Sequence, residues 1–269
     1  MHAVPAGETG APQLVMRSVG KTFGNDVVAL RDVDLTIRQG DFLSLLGPSG
    51  CGKSTALRLI AGLSAPSAGT LDWRGPPMDR TDVGFVFQEP TLMPWATVFD
   101  NVWLPLRLRG VSRRDAQERV AAVLEQVHLT GFEEAVPREL SGGMKMRASI
   151  ARAMVTRPRV LLMDEPFAAL DEITRSRLNG DLLELWEAER FTVIFVTHSV
   201  FESVFLSSRV IVMAANPGRV FDEMAVDAPY PRDDAFRTSE DYAHLIRAAS
   251  NMLRAAMGLA PLETANGVH

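Results

Sequence analysis

The pattern of apolar and polar positions changes character several times along the chain. Between residues 14 and 37 it has the period of strands with one buried face: Val33, Leu35 and Ile37 are separated by Asp34 and Thr36. Gln39-Gly40-Asp41 breaks this pattern as a turn, and residues 42–46 form a short apolar run of the kind found in buried parallel strands. After a glycine-rich stretch at 47–52, residues 54–63 read as a helix, 66–69 as a turn and 83–87 as another strand. From about residue 98 to 156 the period is helical, with Val120, Val123, Leu124 and Val127 on one face. Alternation then resumes. Residues 160–163 and 191–196 predict buried strands with a helix at 175–189 between them, followed by a helix at 199–207 and a strand at 210–213. Beyond about 233 there are further helical stretches, such as 242–257. Alternating strands and helices predict a layered α/β domain, and the helical middle predicts an insertion into it.

Composition narrows this picture. A chain of 269 residues, 46% hydrophobic, has ample core for one large domain or a domain with a subdomain. A net charge of −5 speaks against a general nucleic-acid binder. A single cysteine, Cys51, excludes an internal disulfide and points to a reducing, cytoplasmic setting. Residues 1–12, rich in Ala, Gly and Pro, read as a loose tail rather than a signal peptide. The longest apolar runs, such as 191–196, are far short of the ~20 residues that span a bilayer.

Two motifs carry chemistry. Gly47-Pro48-Ser49-Gly50-Cys51-Gly52-Lys53-Ser54 fits G-x-x-x-x-G-K-[ST], between a buried strand and a helix, which is the context a phosphate-binding loop requires. Glycines let backbone N–H groups converge on phosphate oxygens, and the helix N-terminus adds its positive end. Lys53 places a charge on the β- and γ-phosphates, and the Ser54 hydroxyl can ligate Mg2+. Val160-Leu161-Leu162-Met163-Asp164-Glu165 is an apolar strand ending in two carboxylates, at the edge where open parallel sheets bind ligands. Asp164 suits Mg2+, and Glu165 suits polarising an attacking water.

Leu140-Ser141-Gly142-Gly143-Met144, ahead of the second carboxylate motif, resembles the signature of ABC ATPases. The resemblance spans about residues 14–226 and implies an α/β phosphate-loop NTPase of the ABC type, with an N-terminal antiparallel β part and a helical subdomain inserted in the α/β core. It implies an ATPase domain at 13–226, a helical subdomain at about 98–156, and a partly helical extension at 227–269. In this family the Ser-Gly-Gly stretch faces the γ-phosphate bound to a second copy, so each site is built from two chains. Gln88 matches the Gln-loop residue, which senses Mg2+ and water, and His198 matches the switch histidine at the γ-phosphate. Ala169-Leu170-Asp171 matches the loop linking the two sites, and Phe23 either stacks on adenine or joins the core. The implied catalytic residues are Glu165, His198 and Gln88, and the implied Mg2+ ligands are Ser54, Gln88 and Asp164. ATP contacts are implied at Phe23, Gly47, Pro48, Ser49, Gly50, Cys51, Gly52, Lys53, Ser54 and Thr55, and from the second copy at Ser141, Gly142 and Gly143. Met144-Lys145-Met146-Arg147 replaces a Gln-rich wording of the family stretch, but Arg147 keeps the basic residue.

Gln88-Glu89-Pro90-Thr91-Leu92-Met93-Pro94-Trp95-Ala96-Thr97-Val98 and Asn216-Pro217-Gly218-Arg219-Val220 are similar to segments of importers of the nitrate, sulfonate and taurine group. That resemblance implies a small, anionic or sulfonate- or nitrate-like solute, separate integral membrane permease subunits, an extracytoplasmic solute-binding protein acting indirectly, and a peripheral place on the cytoplasmic face of the membrane. No nucleic-acid partner is expected. The apolar residues Leu92, Met93, Pro94 and Trp95 either receive the permease or pack against the helical subdomain. The competing class is a soluble ABC ATPase acting on nucleic acid or the ribosome. Such proteins usually carry two cassettes or a long coiled coil, and this chain has one motif set and no long heptad stretch.

Overall fold

The computed structural model describes residues 10–24, 26–76 and 82–262, so the tail expected at 1–12 lies, but for residues 10–12, outside the described residues. In chain order the first elements are β1 (Pro12–Thr22), β2 (Val28–Arg38), β3 (Phe42–Leu46), α1 (Lys53–Ile60), β4 (Ala68–Trp73) and β5 (Val83–Val86). Then come α2 (Val98–Arg107), α3 (Arg113–Gln126), α4 (Gly142–Met154), β6 (Val160–Asp164), α5 (Glu172–Glu189) and β7 (Thr192–Thr197). The last are α6 (Val200–Leu206), β8 (Arg209–Ala214), β9 (Arg219–Ala225), α7 (Asp234–Arg237) and α8 (Glu240–Ala256). The described residues up to 74 and from 196 onward form one compact unit, and those from 75 to 195 form another.

In the first unit, β2, β1 and β4 make an antiparallel sheet, with Met16 opposite Leu35 and Leu71. The alternation read from the sequence is the burial pattern: Val33, Leu35 and Ile37 are buried and Asp34 is exposed. Fully buried β3 lies parallel to β8, and β9 closes that edge antiparallel to β8. Strand β9 has no apolar run, and its residues are half-buried or exposed, so periodicity does not announce it. Helix α1 ends three residues earlier than the sequence pattern suggests, because Gly62 takes a left-handed φ of 69° and Leu63 N–H returns to the Arg58 carbonyl. Buried Arg209 joins these layers: its guanidinium donates to Asp41 at 2.6 Å, Glu223 at 2.6 Å and the Thr36 carbonyl at 3.1 Å. Burial pushes the Asp41 carboxyl up against the pull of the Arg38 amide and Arg209. Arg209 is itself opposed by burial, yet its two carboxylates together raise it.

In the second unit, β5 and β6 run parallel, Val83 opposite Val160, and β7 follows next to β6. The α3 face read from the sequence is buried at Val120, Val123, Leu124 and Val127. Helix starts follow capping chemistry: Thr97, Ser112, Ser141 and Asp171 each accept an N–H from their own first turn. The Asp171 cap also explains why α5 begins at Glu172, three residues before the apolar pattern shows it.

Candidate active site

Strand β3 delivers the chain to Gly47, where no side chain fits: a Cβ there would lie 2.7 Å from Cys51 Sγ and 2.8 Å from the Met213 carbonyl oxygen. Gly52 caps α1 with φ of 92°, and its Cβ would meet Leu30 Cδ2 at 2.5 Å. Between them the loop closes around the Lys53 ammonium. Lys53 is 4% exposed, and its Nζ donates to the Gly47 carbonyl at 2.7 Å and the Pro48 carbonyl at 3.1 Å. Ser49 and Gly50 are exposed, Pro48, Ser54 and Thr55 half-buried, and Cys51 buried. In the same unit, Phe23 is 44% exposed, with Lys21 Nζ 5.4 Å from its ring centroid. Phe23 is therefore outside the core. His198 is exposed directly after β7. Its neighbours are fixed: Ser199 N–H donates to Thr197 Oγ1 at 2.9 Å, and buried Thr197 donates that hydroxyl to Glu202.

The second unit carries the carboxylates and the Ser-Gly-Gly stretch. Strand β6 is buried up to Met163, and Asp164 and Glu165 emerge half-buried at its end, Glu165 with φ of 46°. Gln88 is exposed two residues after β5. Ser141 Oγ accepts the Met144 N–H at 3.2 Å, and Ser141 and Gly142 are exposed. Gly143 is buried against α5, where a Cβ would lie 2.8 Å from Thr174 Cγ2, and a Cβ on Gly142 would lie 3.4 Å from Leu170 Cδ2. The structure thus brings the 141–143 stretch together with the 169–171 loop and its Asp171 cap.

Electrostatics separates two helices from the rest. Six helices carry Asp or Glu in their first turn: Asp100 in α2, Asp115 in α3, Glu172 in α5, Glu202 in α6, Asp234 in α7, and Glu240 with Asp241 in α8. Helices α1 and α4 carry none. These two begin at the glycine loop and at the Ser-Gly-Gly stretch. Their own first turns supply no carboxylate to the positive end of the helix, an arrangement that suits an external anion.

The ABC transporter family pattern matches residues 30–168, a span that includes the glycine loop, the Ser-Gly-Gly stretch and both carboxylates. The chain belongs to the ABC transporter ATPases. An uncharacterised ABC transporter ATP-binding protein of Methanocaldococcus jannaschii is 45% identical over 236 residues, 86% of each chain. The aliphatic sulfonates import ATP-binding protein SsuB of Bacillus subtilis is 42% identical, over 81% of this chain and 84% of that one. Among solved structures, CbiO1 of Clostridium perfringens, part of the CbiONQ transporter complex, superposes with a TM-score of 0.74 at 25% identity, covering 92% of this chain and 97% of that one. A dimeric ATP-binding cassette in a post-hydrolysis state, bound to ADP and Pi, superposes with a TM-score of 0.70 at 33% identity, covering 80% and 99%. The α/β cassette with an antiparallel β part, expected from the sequence, is the fold of this ABC ATPase.

Two residues of the ABC ATPase that motif reading passes over shape the segment after Gln88. Arg152, near the end of α4, donates to the Pro90 carbonyl at 2.9 Å, the Thr91 carbonyl at 2.8 Å and Thr91 Oγ1 at 2.9 Å. Burial lowers its pKa. Asn101, 0% exposed, accepts the Met93 N–H at 2.7 Å and donates to the carbonyls of Met93, Ala96 and Thr97. So clamped, the segment holds Trp95 79% exposed, and Trp95 does not pack internally. An asparagine among the apolar positions Val98, Phe99 and Val102 of α2 is the available sequence signal.

Proposed function

We propose that this ABC ATPase powers import of a small solute, an anion or a sulfonate- or nitrate-like compound, through separate permease subunits. The observation that carries the reading is Trp95, a large aromatic held out from a segment that Asn101 and Arg152 make rigid, seven residues after Gln88. A rigid exposed aromatic is a preorganised anchor for a partner. The likeness to SsuB supports the solute class and the direction of transport. Among the described residues no helix is long and apolar enough to cross a membrane. On the likeness to SsuB, the path for the solute is assigned to partner chains and the ATPase to the membrane's cytoplasmic face. An extracytoplasmic binding protein delivers the solute to those partners. The ATPase domain is assigned to residues 13–226, with the helical subdomain at 98–156 and the extension at 227–269.

Hydrolysis follows from the residues of two copies. Phosphates bind at the 47–55 loop, where Lys53 turns its charge to them and the N–H groups of α1 donate. Phe23 stacks on adenine, Glu165 orients the attacking water, and Gln88 and His198 read the γ-phosphate. Ser141, Gly142 and Gly143 present the acid-free start of α4 to the nucleotide of the second copy. Ser54, Gln88 and Asp164 supply a hydroxyl, an amide oxygen and a carboxylate, the hard oxygen donors that Mg2+ takes, so the donor set fits that ion. When bound, Mg2+ neutralises charge on the β- and γ-phosphates.

The test is extraction of the tagged chain in mild detergent, with mass spectrometry of what accompanies it and ATP turnover of the purified complex. A membrane-spanning permease and turnover stimulated by a sulfonate-loaded binding protein are expected. Recovery of ribosomes or nucleic acid in place of a permease would overturn the reading.

A further inference from the structure

The C-terminal extension packs on α6, the helix that begins two residues after His198, with Ser199 as its cap. Helix α6 has seven residues, too few to hold its place alone, since isolated helices below ~12 residues are marginal. Its far end is gripped by Arg232, which is 4% exposed. One Arg232 nitrogen donates to the carbonyls of Val204 at 2.9 Å, Phe205 at 3.1 Å and Ser207 at 2.9 Å. Its other terminal nitrogen donates to the carbonyls of Val226 at 3.3 Å and Ala228 at 3.0 Å. Tyr230 Oη donates to the Leu206 carbonyl at 3.1 Å, and Tyr242 Oη to the Phe201 carbonyl at 3.0 Å. The Arg237 guanidinium lies 3.5 Å from the Phe205 ring centroid. A cation at a helix C-terminus is favoured by the helix dipole and satisfies carbonyls that the helix leaves open. The near end of α6 is joined to β7 through Thr197, Ser199 and Glu202, so His198 sits in a junction fixed on both sides.

We propose that Arg232 is a positioning residue for His198, and that the extension around it is a brace that sets the direction of that imidazole through α6. The proposal rests on the reading of His198 as the γ-phosphate contact. Without the brace the last turn of α6 loses its partners, the junction loosens, and His198 no longer keeps one orientation. Nucleotide affinity, which rests on the 47–55 loop, is largely retained.

The test uses the full-length chain and four variants: Arg232→Met, Arg232→Lys, His198→Ala and the double variant Arg232→Met/His198→Ala. Arg232→Met is expected to lower kcat about tenfold while KM for ATP changes less than about twofold. Arg232→Lys should restore part of the loss, because one charged donor returns to the carbonyls. In the His198→Ala background Arg232→Met should lower kcat no further. The imidazole proton resonance of His198, one of 5 histidines and identified by its loss in His198→Ala, should shift or broaden in Arg232→Met. If Arg232→Met does not fold, Tyr230→Phe, which removes the bond to Leu206 and keeps the ring beside Arg232, should give a smaller loss with the same non-additivity. Additive losses in the double variant, or an unmoved His198 resonance, would overturn the proposal. Wild-type turnover by His198→Ala would also overturn it, and would place the fault in the reading of His198, since ATP binding by the loop would stand.

Discussion

Arg152 and Thr91 are joined by two hydrogen bonds, to the carbonyl at 2.8 Å and to the hydroxyl at 2.9 Å, although 61 residues separate them. These bonds tie α4, which Ser141 caps, to the segment that starts at Gln88 and presents Trp95. Thr91 has φ of 47°, an uncommon conformation for a threonine, and the Arg152 bonds help to hold it there. A movement at the start of α4 therefore has a direct mechanical route to Trp95. Arg152→Met should destabilise the chain by about 1.5–3 kcal/mol, the range for a hydrogen bond involving a charged group. Urea unfolding checks the stability. In the assembled complex, ATP turnover should persist while transport falls, and equal losses of both would remove Arg152 from the coupling route.

Glu165→Gln keeps the size of the side chain and removes its charge. ATP binding should remain and turnover should fall by more than about a hundredfold, with an ATP-bound dimer accumulating. Single-turnover kinetics and gel filtration with Mg-ATP measure both. Near-normal turnover in the complex would take Glu165 out of the chemical step.

Lys53→Ala removes the charge that the glycine loop encloses. ATP affinity should weaken roughly a hundredfold, the equivalent of losing one strong charge-assisted contact. Titration calorimetry measures it. The carbonyls of Gly47 and Pro48 also lose their donor, so the nucleotide-free chain should be less stable by about 1–3 kcal/mol.

Trp95→Asp acts on a surface, because the side chain stands 79% exposed. Folding stability should change by less than about 0.5 kcal/mol, and ATP affinity should be unchanged. Permease binding should be lost, because docking would bury an unpaired carboxylate. Co-purification from membranes decides it, and an intact complex would place the docking surface elsewhere.

Asp171 gives a pH dependence with a defined sign. Its carboxylate accepts the Thr174 N–H at 2.9 Å, which holds its pKa below the ordinary 3.8. A carboxyl whose folded pKa is depressed adds stability that is present above the unfolded value and lost as pH falls through the folded one. The difference in urea midpoint between the wild type and Asp171→Asn should therefore favour the wild type near pH 6 and shrink below about pH 3.8. A difference that does not vary with pH would show that the cap acts without its charge.

Much of this protein is decided by short stretches of the sequence. The glycine loop with Lys53, the Ser-Gly-Gly stretch and the Asp164-Glu165 pair are each contiguous: a loop or helix start gathers its N–H groups over a few residues, and a strand end sets neighbouring carboxylates at one sheet edge. The absence of acids from the first turns of α1 and α4 is also written locally, and it sets these two helices apart from the other six. The strand alternation at Val33, Leu35 and Ile37 is set by the pleat alone. Other features depend on residues far apart in the chain. Gly47 must be glycine because Met213 lies against it, and Gly52 because Leu30 does. Strand β9 exists because β8 offers an edge to pair, not because its own residues form an apolar pattern. An apolar tryptophan reads as core or as surface, and only the clamp by Asn101 and Arg152 puts Trp95 outside. The role of residues beyond 226 was illegible for the same reason: an arginine becomes a brace only where folding gathers five carbonyl oxygens around it, and long-range convergence of that kind leaves no periodic trace in a sequence.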